Sequence, residues 1–144
     1  MKKFLVIVIA LFACIGLSAQ NEAKDNIIGE YYSFNKKGDK YKVRVSKSAD
    51  GTYTGLIFWA NLKDGKVFGA PSGVDLDLTP SQQIVIFSGL KYNEAKQHWS
   101  GTKIYDPIRK IRANMRAEFS NSKTLKIRGS LAGISETVTW QKIK

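Results

Sequence analysis

His98 is the only histidine of the chain, so any serine–histidine–aspartate relay or histidine-based metal site must be built on it alone. A general base also needs a partner that orients it, and no spacing in the sequence identifies one. His98 stands beside Trp99 where a β-like run begins, the place of a solvated turn residue. Asp75 and Asp77 alternate in a Gly- and Pro-bearing segment and offer oxygens to a hard cation. A calcium loop, however, brings more ligands at fixed spacing and a bidentate Glu to close it. Glu30, Glu118 and Glu136 are scattered, and no pair is set by spacing at the separation glycoside hydrolysis requires. No Gly-rich phosphate cradle or dinucleotide fingerprint occurs. The sequence therefore predicts no catalytic residue, no metal and no cofactor.

What remains is binding chemistry. Trp59, Trp99, Trp140, Tyr31 and Tyr105 are the large aromatics placed to fill a core or line a small apolar pocket. Small residues on otherwise inward faces, Ala113 and Ala117, and Gly55 and Gly129 within strands, either leave room or meet a large neighbour. Lys103 shares parity with Trp99 and Gly101. It points inward if Trp99 does, unless a bulge intervenes, and a buried Lys demands a carboxylate or an anionic ligand. The candidate pocket is Trp99, Lys103, Tyr105, Met115 and Trp140.

The elements that must position these residues have period two. Tyr41, Val43 and Val45 alternate with Lys40, Lys42, Arg44 and Ser46. Ile111, Ala113, Met115, Ala117 and Phe119 alternate with Arg112, Asn114, Arg116 and Glu118, and Leu125, Ile127, Gly129 and Leu131 with Thr124, Lys126, Arg128 and Ser130. Less regular β-rich runs cover 28–34, 52–59, 84–87, 98–105 and 136–142. Turn residues separate them: Lys37-Gly38-Asp39, Ala49-Asp50-Gly51, Asp64-Gly65, Asp106-Pro107, Ser120-Asn121-Ser122 and Ala132-Gly133. About eight strands with short connections predict an antiparallel meander that must close to hide its apolar face. The expected fold is an all-β up-and-down barrel, with a two-sheet sandwich as the alternative. The connection 62–81, with Gly65, Gly69, Pro71, Gly73 and Pro80, is expected to be a lid, plug or binding loop.

Trp99-Ser100-Gly101-Thr102-Lys103-Ile104-Tyr105-Asp106-Pro107, Leu125-Lys126-Ile127-Arg128-Gly129 and Thr137-Val138-Thr139-Trp140 together resemble the bacterial exported family called domain of unknown function 2147. Ile28-Gly29-Glu30-Tyr31 falls where that family opens with Gly and a nearby Trp, with Tyr31 in place of the Trp. Arg109-Lys110-Ile111-Arg112 and Asp75-Leu76-Asp77-Leu78-Thr79-Pro80 depart from the family pattern. The resemblance implies a small barrel similar in outline to lipocalins and calycins, and supplies no catalytic residue.

The amino-terminal end bears on compartment. Met1-Lys2-Lys3 followed by the apolar run 4–13 and Leu17-Ser18-Ala19-Gln20 has the layout of a cleavable signal peptide, 1–19, leaving one domain, 20–144. The run is too short to span a membrane before Ser18 and the polar Asn21-Glu22-Ala23-Lys24-Asp25. The competing reading makes Cys14 the lipid-modified residue of a lipoprotein, against which stand the bulky Phe12 and the apolar Ile15-Gly16-Leu17. Cys14 is the only cysteine, so cleavage after Ala19 removes disulfides and thiolate chemistry together. The formal charge is +11, of which Lys2 and Lys3 leave with the leader. The expected location is periplasmic or secreted, which excludes nucleic acid as partner. Two readings follow: a barrel holding a small apolar or amphipathic ligand, or a basic outer face of Lys42, Arg44, Arg112, Arg116, Lys126 and Arg128 docking on an anionic envelope surface or a protein. Monomer and dimer both fit the sequence.

Overall fold

The computed structural model describes residues 21–144; the leader reading and Cys14 fall outside the described residues. A 3₁₀ segment, Asn21–Ile27, precedes ten strands: β1 (Gly29–Phe34), β2 (Lys40–Lys47), β3 (Tyr53–Asn61), β4 (Leu76–Asp77), β5 (Ile84–Asn93), β6 (His98–Ser100), β7 (Lys103–Asp106), β8 (Ile111–Asn121), β9 (Thr124–Leu131) and β10 (Ile134–Lys142). Pairing is antiparallel throughout. It runs from β1 through β2, β3, β5, β6 with β7, β8 and β9 to β10, and β10 pairs back onto β1. Because β6 and β7 share one position and β4 only flanks the end of β3, the ring is a closed barrel of eight strand positions. Closure distinguishes the barrel from the sandwich.

The alternation read from the sequence becomes the inside and outside of this ring. Val43, Val45, Ile57, Leu90, Trp99, Met115, Ala117, Leu125, Ile127 and Trp140 are buried in one core cluster. Fully burying an aliphatic side chain of this kind contributes roughly 1.5–3 kcal/mol. Small and large inward residues interlock where they face each other. Ala117 pairs with Trp99 across β6 and β8, and a Cβ on Gly55 would overlap the Phe87 ring. Gly55 also lies at a register shift between β3 and β5, which turns both Ile86 and Phe87 into the core.

One end of the barrel is plugged. Ile27 is fully buried, and the 3₁₀ segment is tied down by side chains from five strands. The Tyr31 hydroxyl donates to the Ile27 carbonyl at 2.7 Å, the Trp99 indole N–H to the Lys24 carbonyl at 2.9 Å, and Lys142 Nζ to the Asn26 carbonyl at 2.7 Å. The Tyr53 hydroxyl donates to Asp25, which Lys47 also meets at 3.2 Å. The sequence reading had no element here. The segment is held by contacts between 4 and 116 residues apart in sequence, which no local pattern announces.

Candidate functional site

The opposite end carries the turns after β1, β7 and β9 and the long connection between β3 and β5. That connection is a fixed cover over one side. Leu62 and Leu78 are buried, while Phe68 and Leu76 pack against the core. Asp39 Oδ1 accepts the Lys63 N–H at 3.0 Å, and Asn61 donates to Asp75 at 2.7 Å. Asp75 thus pins the loop, and Asp77 lies in β4 opposite Trp59. Among the described residues no three His, Cys, Asp or Glu side chains gather as a metal site. The gap under the cover, lined by Ala60, Phe68 and Leu76 among others, is about 10 Å³, room for at most one water.

The other side, formed by β8, β9 and β10, is uncovered. Ile134, Glu136 and Val138 have the parity of buried Trp140, and Leu131 that of Leu125 and Ile127; no register shift interrupts the β9–β10 ladder. These side chains belong to the inward face. Yet Ile134 is 70% exposed, Leu131 47% and Val138 39%. The face that is core lower down is open to solvent here. Beside it, a Cβ on Gly129 would meet only the Ala113 methyl, at 3.4 Å, so this pair of small residues leaves room where Gly55 and Ala117 do not.

Tyr41 of β2 shares the inward parity of Val43 and Val45. Its hydroxyl is buried and has no hydrogen-bond partner among the described residues. Burial raises its pKa, and the negative charges of Asp106 and Asp39 raise it further, so the group stays a protonated donor. At the rim, Arg109 donates through Nε to Asp106 at 2.8 Å and through both terminal nitrogens to Glu136 at 3.0 and 2.8 Å. Burial works to raise the Asp106 carboxyl, but the Arg109 side chain and the Arg109 and Ile108 N–H groups outweigh it and hold the pKa below the ordinary value. Hydrogen bonds from Arg109 lower Glu136, and both carboxylates raise Arg109. Arg109 is thus fully engaged by the two carboxylates, and the positive charge of Lys37 also helps to lower Glu136. The open end therefore offers an apolar wall and a neutral donor.

The five residues expected to form a pocket separate into two groups. Trp99, Met115 and Trp140 share the core cluster. Trp99 packs on Tyr92 and Phe119 at ring-centroid separations of 4.8 and 5.6 Å, and Trp140 on Tyr31 at 6.0 Å. Lys103 is exposed on the outer surface, because the chain breaks at Gly101 (φ 92°) between β6 and β7 and parity does not carry across. Tyr105 pairs with outward Arg112, whose guanidinium lies 4.9 Å from its ring centre. A pocket joining Lys103 and Tyr105 to Trp99 is therefore not what the chain builds. Tyr41, Arg109, Glu136 and Val138, which the sequence reading did not assign to the site, are the residues at the open end. Alternation showed which face Tyr41 occupies, but not its depth along the barrel axis, and the less regular run 136–142 gave Val138 no face.

His98 opens β6, half-buried and opposite Asn93.

No curated protein matches this chain significantly in sequence. In structure it is similar to a protein described as "Protein HP1028 from the human pathogen Helicobacter pylori belongs to the lipocalin family". The TM-score is 0.60 at 16% identity, over 82% of this chain and 83% of that one, a likeness of fold alone. Residues 29–142, from the first strand of the barrel to the last, match the model of an uncharacterized protein family conserved in bacteria, DUF2147, and the chain belongs to that family.

Proposed function

We propose that the protein is an exported, non-enzymatic binding module whose barrel receives a small apolar or amphipathic ligand at its open end. The observation that carries this reading is the exposure of Leu131, Ile134 and Val138 on the barrel's inward face. Covering those side chains returns roughly 25 cal/mol for each Å² of apolar surface removed from water. A ligand acceptor on Tyr41 would also satisfy a donor that is otherwise desolvated without compensation. Because Arg109 is already held by Asp106 and Glu136, the Tyr41 donor suits a neutral polar group such as a carbonyl, ester or hydroxyl. Export rests on the leader-like residues 1–19, and the absence of cysteine from 20–144 suits an oxidising compartment.

The test is native mass spectrometry of the protein produced through its own leader and purified without detergent. Extra mass lost on denaturation, and absent from a variant carrying Ile134→Glu with Val138→Glu, is expected. A clean apo mass, together with no uptake of fluorescent apolar probes, overturns the reading.

One observation favours docking through the outer face as well. Arg116 and Arg128 stand directly opposite each other across β8 and β9, and opposed like charges are destabilising unless an anion lies between them. Binding to anionic vesicles that weakens steeply with salt is the expected sign; salt-independent binding speaks against it.

A further inference from the structure

The barrel wall has a gap. β5 and β7 are neighbours around the ring, yet they share no ladder: β5 meets β6 only over Lys91–Asn93, and β7 pairs only with β8. Positive φ at Gly89 (71°) and Gly101 (92°) bends both chains where they part. A single side chain bridges the opening, Thr102 Oγ1 donating to the Ser88 carbonyl at 2.6 Å. Outside that bridge lies a recess of about 480 Å³ lined by Val85, Phe87, Ser88, Thr102, Lys103 and Arg112. The recess is open to solvent on its outer side.

Its cations, unlike Arg109 at the open end, are not already held by carboxylates. Lys103 and Arg112 are diagonal neighbours on the outer face, since Lys103 pairs with Asn114 and Tyr105 with Arg112. Neither belongs to any of the ion pairs among the described residues, which use Arg44, Lys47 and Arg109. The ring of Tyr105 under Arg112 holds the guanidinium in place. Two unpaired cations beside the Ser88 hydroxyl match the charge of about −1.5 to −2 and the acceptor oxygens of a phosphate monoester. Val85, an apolar side chain 51% exposed at the same recess, and buried Phe87 offer a surface for a short apolar stem.

We infer that this gap between β5 and β7 is a second binding site, separate from the open end, for a phosphate monoester carried on a short apolar group. The source is either a lipid headgroup or a soluble phosphate ester.

The experiment titrates the ¹⁵N-labelled protein with hexyl phosphate and with inorganic phosphate, and follows backbone amide shifts. Hexyl phosphate is expected to move the amides of 85–88 and 102–105, and to bind at least tenfold more tightly than inorganic phosphate. Lys103→Gln with Arg112→Gln, both at exposed positions, should weaken it at least tenfold while leaving the melting temperature unchanged. Sedimentation with phosphatidylglycerol vesicles containing phosphatidic acid then separates the sources: co-sedimentation lost in the double variant supports a lipid headgroup, and hexyl phosphate binding without co-sedimentation supports a soluble ester. Shifts confined to 131–138, equal affinity for inorganic phosphate, or an unaffected double variant each overturn the inference. None of these outcomes depends on a ligand at the open end.

Discussion

The two ends of this barrel are made from the same alternating strands, yet one is finished and the other is not. At the plugged end large inward side chains meet a small partner, as Trp99 meets Ala117, another ring, as Trp140 meets Tyr31, or the 3₁₀ segment. At the open end the inward side chains of β9 and β10 meet solvent, and a buried hydroxyl meets nothing. The difference shows that pattern alone does not complete a core. A second layer of chain must arrive to cover it, and here residues 21–27 cover one end while 62–78 cover only the β3 side of the other.

The largest expected effect that tests this contrast is Trp99→Ala. It removes a ring packed on Tyr92, Phe119 and the 3₁₀ segment, and should cost about 3–5 kcal/mol in urea unfolding. Val138→Ala at the open end should cost under about 1 kcal/mol, since a 39% exposed side chain leaves little cavity. Similar losses for the two would remove the distinction.

Next is Gly55→Ala, whose methyl must displace the Phe87 ring; overpacking of this kind should cost about 1–3 kcal/mol. Gly129→Ala, close only to the Ala113 methyl, should stay within about 0.5 kcal/mol, because its surroundings have space and its φ is not positive. The ratio of the two losses measures how much of the interior is filled.

A pair of tyrosines should then respond with opposite signs. Tyr31→Phe deletes a buried hydrogen bond and should destabilise by about 1 kcal/mol. Tyr41→Phe deletes a hydroxyl that has no partner, and should leave the ligand-free protein equally stable or more stable by up to about 1 kcal/mol. It should at the same time weaken any ligand held through that hydroxyl. A loss of stability in Tyr41→Phe equal to that in Tyr31→Phe would place a hidden acceptor at the open end.

The smallest effects are electrostatic. The hydrogen bond from Tyr53, helped by Lys47, holds Asp25 below the ordinary carboxylate value, and Arg109 does the same for Glu136. A carboxylate depressed in the folded state stabilises fully above about pH 4 and loses that contribution as pH falls through its folded value. Side-chain exposure is 26% for Asp25 and 57% for Glu136, so solvent screens the second more. Asp25→Asn should therefore flatten the acid limb of a melting-temperature profile more than Glu136→Gln, each by under about 1 kcal/mol.

Much of this was legible before any coordinates. Strict alternation at 111–119 and 125–131 marked strands and their buried faces, because a pleated strand turns successive side chains to opposite sides. The turn residues between runs implied the meander. Alternation extended to Lys103 misled at Gly101, where a break between β6 and β7 moves the next side chain to the outer face. The short β4 and the 3₁₀ plug were invisible for a related reason: both are held by remote partners and have no period of their own.

The sequence by itself determined an all-β chain and the inward and outward faces of its cleanly alternating strands, since period two is a local property. Closure of the ring, the depth of each inward side chain along its axis, and the gap between β5 and β7 were decided by tertiary structure alone. Those features depend on which strands meet and where a covering segment lands, and contacts between residues far apart in the chain leave no local signature.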